Sequence, residues 1–322
     1  MATVREFIDY HFEHFNAREL RAAARAYEAH IAAGGRMFLA MAGAMSTARV
    51  GRILARAIRA GLIHGVSCTG ANLEEDVYRL IGGDAYEDVP AWSKLSGEQE
   101  AALAARGFSR VTDTAVPESI MLALEEALFV RWQAAAASGR SATPAAFLFD
   151  ALEDPSLEEQ FHDPASSWVL AARDASLPVF TPGWEDSTTG NAFSAAVMRG
   201  DVATHACVEP GTAQMTRLAR WYIEHCEPAP GVGFVQVGGG IAGDFAICTV
   251  PLIVKELQLH DTRPWSYYCQ ISDAEPTYGG YSGAIPSEKI SWHKLTAATP
   301  RFSIHSDATI VFPLLLAYVL GD

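Results

Sequence analysis

Short apolar runs recur along the chain from Arg36 onward, each closing in a Gly/Ser/Thr turn and leading into an amphipathic stretch. That alternation predicts buried parallel strands joined by crossover helices: an α/β protein with a Rossmann-like open parallel sheet and helices on both faces. The clearest units are RMFLAMAGAMS before a helix from Arg49, IHGVSCTGAN before LEEDVYRLI, LPVFTPGWEDSTTGN before a helix from Ala192, VATHACVEPG before TAQMTRLARWYIEHC, and GVGFVQVGGG before a helix reaching Glu256. WSYYCQISDAEP follows, then RFSIHSDA before TIVFPLLLAYVL. Arg18 to His30 sets apolar residues at helical spacing among many alanines, which predicts an N-terminal helical extension over residues 1–35 ahead of one large Rossmann-like domain over 36–322. Glu87 to Asp113 reads as a surface excursion, and AAAASGRSATP as a small-residue loop.

Open sheets of this kind bind ligands beyond the carboxyl ends of their strands, so the polar turn residues are the functional suspects. Gly238, Gly239 and Gly240 follow FVQV and let backbone amides approach a phosphate, although a tight packing turn uses glycines equally well and the full G-x-G-x-x-G spacing is not clean. Glu74, Glu75 and Asp76 fall in a first helical turn, where carboxylates either complement the helix dipole or hold ribose hydroxyls. Asp186 in WEDSTTGN and Asp307 in HSDAT stand at two further strand ends, each a candidate N-cap or ligand contact. The segment SGAIPSEKISWHKL crowds Glu288, Trp292 and Lys294 together. A lysine beside an indole can be desolvated, which lowers its pKa and frees the lone pair for attack on an imine or carbonyl carbon. Trp292 can also stack on a cationic amine.

Composition narrows the partners. With 38 acidic and 24 basic residues the formal charge is −14, which disfavours nucleic acid and anionic membranes and tilts towards a cationic small molecule. Five scattered cysteines without CxxC spacing argue against a disulfide framework and a structural metal, so no metal is expected. MATVREFIDYHFEHF lacks the apolar core of a signal peptide, and the apolar stretch near Ile310 to Leu320 falls short of the ~20 residues a membrane span needs. A cytoplasmic location is the expectation.

The ordered set GGGIAGD, YSGAIPSEKISWHK and HSDATIVFPLLLAY, preceded by TGANLEED and TPGWEDSTTGN, resembles the deoxyhypusine synthase family over nearly the whole chain. The resemblance implies that Lys294 is the covalent attachment point. It implies NAD as cofactor, oxidising spermidine to an imine that the lysine captures as an aminobutyl group, which then passes to an acceptor amine. It places Thr69, Glu75, Asp186, Gly239, Gly240, Ser282 and Asp307 around the dinucleotide and Glu288 and Trp292 around the polyamine, in a homotetramer with sites at dimer interfaces. Three positions depart from the family pattern: Tyr281 replaces an aspartate that anchors spermidine, Asp244 replaces a histidine, and Asn191 replaces an acid. Asp244 thereby adds negative charge elsewhere in an altered donor pocket, and His293 beside the lysine reads as a bystander. These departures favour transfer among small amines (spermidine, putrescine or agmatine), giving homospermidine or a related polyamine. The alternatives are a true deoxyhypusine synthase that modifies a lysine of translation factor 5A, and an inactive NAD-binding homologue.

Overall fold

Runs of Val, Ile, Phe and Met between turn residues are what strands buried on both faces require, and the computed structural model, which describes residues 2–322, pairs them so. In chain order the strands are β1 (Arg36–Met41), β2 (Gly65–Cys68), β3 (Glu87–Asp88), β4 (Phe108–Val111), β5 (Thr114–Pro117), β6 (Val179–Phe180), β7 (Val232–Val237), β8 (Tyr267–Ile271) and β9 (Arg301–Ile304). Six of them form one parallel sheet in the order β6-β2-β1-β7-β8-β9. Strand order reverses between β1 and β7, so the carboxyl ends of those two strands frame the crevice where a doubly wound sheet receives its ligand.

Alternation along each strand divides two cores. Phe38 and Ala40 of β1, Phe234 of β7 and Tyr268 of β8 face one side, under the helices Gly211–His225 and Ile241–Ile247. Met37, Leu39 and Met41, with Val235, Val237, Tyr267 and Cys269, face the other, under Phe15–Ala32, Gly51–Arg59 and Ala308–Leu320. Phe234 stacks between Phe38 and Tyr268 with ring centroids 6.0 Å apart on each side. Such cross-strand aromatic pairs add about 0.5–1.5 kcal/mol each beyond their burial. The helix Phe15–Ala32 buries Leu20, Ala23, Ala24 and Tyr27 in the second core, and the Tyr267 hydroxyl donates to the Ala23 carbonyl at 3.0 Å.

Two expectations are corrected. VATHACVEPG forms no strand: the Thr204 hydroxyl accepts from the Ala206 amide and holds a 3-10 turn at His205–Cys207, leaving one bridge between Ala142 and Val208. Local side-chain bonding of this kind competes with strand pairing, and Pro210 has no N–H to donate. AAAASGRSATP is a loop only over 139–143, because its alanines extend the helix Glu118–Ser138 until Gly139 stops it at φ 72°, and Thr143 caps the next helix at Pro144. The excursion from Glu87 to Asp113 contributes β3 and β4 to a small antiparallel sheet with β5 in its centre. Between β8 and β9 the crossover contains only the 3-10 turns Pro276–Tyr278, Tyr281–Gly283 and Pro286–Ile290. That irregular crossover carries Lys294. Among the described residues no helix is long and apolar enough to cross a membrane.

Candidate active site

The glycine turn after β7 lies at the strand-order reversal. Gly238 and Gly240 adopt φ of 73° and 68°, which side chains with a Cβ disfavour, and the Gly240 amide donates to Ser282 Oγ at 3.1 Å. A Cβ on Gly239 would stand 1.7 Å from Ser282 Oγ. Beneath the turn, Gln236 Nε2 donates to the Gly238 carbonyl at 3.0 Å and Gln270 Nε2 to the Ser282 carbonyl at 2.7 Å. Two buried glutamines from adjacent strands thus fix both sides of the clamp.

Beside it opens a cavity of about 360 Å³ lined among others by Asp244, Tyr281, Glu288, Lys289, Trp292 and Lys294. The Lys294 side chain is only 8 % exposed, and its Nζ lies 3.5 Å from Asp244 Oδ1. It sits 5.5 Å from the Tyr281 ring centroid and 5.9 Å from that of Trp292, itself 55 % exposed. The aromatic wall that sheds water from the lysine is therefore Tyr281 as much as the indole. Asp244 puts its charge against the lysine rather than elsewhere, because it stands on the first turn of Ile241–Ile247. Cys248, one turn on, has Sγ 3.5 Å from Asp244 Oδ1, and burial pushes its thiol pKa up.

Sequence reasoning missed Lys289, which lies five positions before Lys294. It is 3 % exposed, donates to the Ala284 carbonyl at 3.0 Å, and lies 5.0 Å from the Tyr281 ring and 5.2 Å from the Tyr268 ring. Burial lowers its pKa to about 8, with the Lys294 charge pushing the same way. Adjacency to the S-W-x-K element was the available signal.

The remaining predicted residues spread along the carboxyl edge of the sheet. Thr69 caps the helix Gly70–Gly82 and donates to the Gly43 carbonyl at 2.8 Å. Glu75 accepts from Thr47 Oγ1, and burial raises its pKa to about 7. Its neighbours are structural: Glu74 accepts from the Thr188 and Thr189 amides, while Asp76 accepts from Ser167 Oγ and the Val169 amide. Asp307 caps the helix Ala308–Leu320. Asp186 is exposed and leaves capping of the next helix to Ser187. Asn191 donates to the Ser187 carbonyl at 2.8 Å and lies outside the Lys294 cavity of its own chain. His293 is exposed, at φ 61°. A glycine turn that admits no Cβ, a half-buried carboxyl at Glu75 and hydroxyls at Thr69 and Ser282 fit a dinucleotide better than a metal. Among the described residues no group of three or more His, Cys, Asp or Glu is placed to hold one.

The family model described as deoxyhypusine synthase matches residues 8–319. The chain belongs to the deoxyhypusine synthase family. It is 28 % identical to a "Deoxyhypusine synthase-like protein" of Thermosynechococcus vestitus, over 98 % of this chain and 78 % of that protein. It is likewise 28 % identical to a "Probable deoxyhypusine synthase 1" of Archaeoglobus fulgidus, over 95 % of this chain and 90 % of that one. The crystal structure of a "putative deoxyhypusine synthase" from Entamoeba histolytica shares the fold with a TM-score of 0.60 at 11 % identity, covering 99 % of this chain and 94 % of its own. Membership in the deoxyhypusine synthase family points to NAD-dependent aminobutyl transfer as the general chemistry.

Proposed function

We propose that the protein moves an aminobutyl group between amines through a covalent imine on Lys294, using NAD and forming homospermidine or a related free polyamine. One observation carries this reading: the Lys294 ammonium is almost withdrawn from water between the Asp244 carboxylate and two aromatic rings, beside a glycine turn at the switch point of the sheet. When bound, NAD supplies a hydride acceptor that later returns the hydride. Thr69, Glu75, Asp186, Gly239, Gly240, Ser282 and Asp307 would hold it.

The chain's own groups do the rest. Asp244, within ion-pair distance of Nζ, is placed to take the lysine's proton and leave a neutral amine. That lone pair forms the new C–N bond to the oxidised carbon of the substrate. The old C–N bond then breaks, and the departing amine leaves with the proton. Glu288 and the exposed face of Trp292 receive the protonated substrate. We assign Asp186 and Asn191 to the site of a neighbouring subunit in a homotetramer.

Incubation with NAD, spermidine and putrescine, followed by borohydride, is expected to leave an aminobutyl adduct on Lys294 and to release homospermidine detectable by mass spectrometry. Lys294→Ala is expected to lose both. An adduct without a free polyamine product, together with aminobutylation of a lysine in translation factor 5A, would replace this reading with deoxyhypusine synthesis. No adduct with spermidine, putrescine or agmatine would mark an inactive homologue.

A further inference from the structure

The two lysines of the Lys294 cavity are partnered differently. Asp244 pairs with Lys294 at 3.5 Å, so an ammonium arriving there meets a carboxylate, while Glu288 also lines the cavity without coming within ion-pair distance of either lysine. Lys289 lines the same cavity, 3 % exposed, with its Nζ 5.0 Å from the Tyr281 ring centroid. Among the described residues no carboxylate oxygen lies within 4.0 Å of Lys289 Nζ, whereas Lys294 has Asp244. Lysine has three N–H donors. Here one is used on the Ala284 carbonyl at 3.0 Å, a second reaches Gln270 Oε1 only at 3.5 Å, and the third has no acceptor within hydrogen-bond distance among the described residues.

A buried cation is normally paired, and a terminal ammonium pushed against this one would be repelled in a setting that screens poorly. The Tyr281 hydroxyl does not compensate: it is turned to Gln236 Oε1, to which it donates at 2.7 Å, and makes no hydrogen bond with Lys289. We infer that the Lys289 end of the cavity receives a carboxylate, so that one of the amines handled there is an amino acid type, with an ammonium at one end and a carboxylate at the other. The inference rests on reading the Lys294 cavity as the amine pocket and names the substrate class of that pocket. A charge-assisted hydrogen bond from the free N–H of Lys289 to a carboxylate oxygen completes the lysine's shell.

The test is calorimetry on the assembled protein at pH 7, with and without NAD, using 4-aminobutanoate, 1,4-diaminobutane and the neutral 4-aminobutanamide. The carboxylate is expected to bind about tenfold or more tighter than either comparator, Lys289→Arg to keep the preference, and Lys289→Met to abolish it. Equal or tighter binding of the diamine, a preference that survives Lys289→Met, or no binding by any of the three overturns the inference. Should Lys289→Met fail to fold, the comparison of carboxylate with amide in the unaltered protein decides alone. Borohydride trapping of Lys294 with spermidine reads the proposed function independently. An adduct without carboxylate preference sinks only this inference, and a preference without an adduct sinks only the transferase reading.

Discussion

Half-buried Glu75 and buried Lys289 are groups whose loss of water opposes their charge, and each leaves a pH signature. Glu75 titrates at about 7 when folded against 4.5 for a free side chain, because burial penalises the carboxylate. Between those values the folded chain keeps a proton that the unfolded chain has lost, so its contribution to stability is present below pH 4.5 and lost as pH rises through 7. Glu75→Gln should therefore gain stability relative to the parent between pH 4.5 and 8, by up to about 3 kcal/mol. Melting curves at both ends check this, and a constant difference would contradict it. Lys289 runs the other way: its pKa falls from 10.5 to about 8, so folding is disfavoured below pH 8 and recovers as pH rises towards 10.5. Lys294, Glu288 and Asp244 are the charged groups acting on it. Affinity for 4-aminobutanoate should accordingly weaken between pH 7 and 9.5 in the parent and stay nearly flat in Lys289→Arg, since arginine keeps its charge.

At the scale of elements, the glycine turn and the β8 to β9 crossover are one device. A methyl on Gly239 would collide with Ser282 Oγ and Cβ, at 1.7 and 2.2 Å, and would press on its Cα at 2.8 Å. Gly239→Ala should therefore displace the crossover and weaken NAD binding at least tenfold by fluorescence titration, and adding Ser282→Gly should restore part of it because two of the three clashes vanish. No recovery would mean that the turn itself, rather than its clamp, is what the alanine breaks. β1, β2, β7 and β8 were legible in the sequence because strands buried on both faces are mostly apolar, and the edge strand β9, with Ser303 exposed, was legible from Phe302, Ile304 and the polar turn after them. Val202 to Glu209 was misread because its apolar positions are real while its hydroxyl and proline chemistry favours a turn. Within the crossover, Trp292 and Lys294 stood out by context. Lys289 did not, because only the fold brings the rings of Tyr268 and Tyr281 around it.

For the molecule as a whole, the predicted site residues do not all converge within one chain. Asp186 and Asn191 are exposed at the far end of the carboxyl edge; Met198, on the same helix as Asn191, is 88 % exposed, and Leu122, which lines a pocket with Ala192 and Ala196 of that helix, is 62 % exposed. Exposed side chains of this size beside a polar rim would suit contact with a second copy. In a two-fold pair, each Lys294 cavity would then be completed by Asp186 of the other subunit, and each pair would hold two such sites. Lys294→Ala and Asp186→Asn are each expected to be inactive alone. Unfolded together and reassembled in equal amounts, half of the pairs are mixed. In a mixed pair one site combines both substitutions and the other carries neither, so about a quarter of all sites are intact. Polyamine product forming at about a quarter of the parent rate would place the site between subunits. No recovery in a mixture shown by native mass spectrometry to contain mixed assemblies would place both residues' roles within one chain, and the exposure of Met198 and Leu122 would need another explanation.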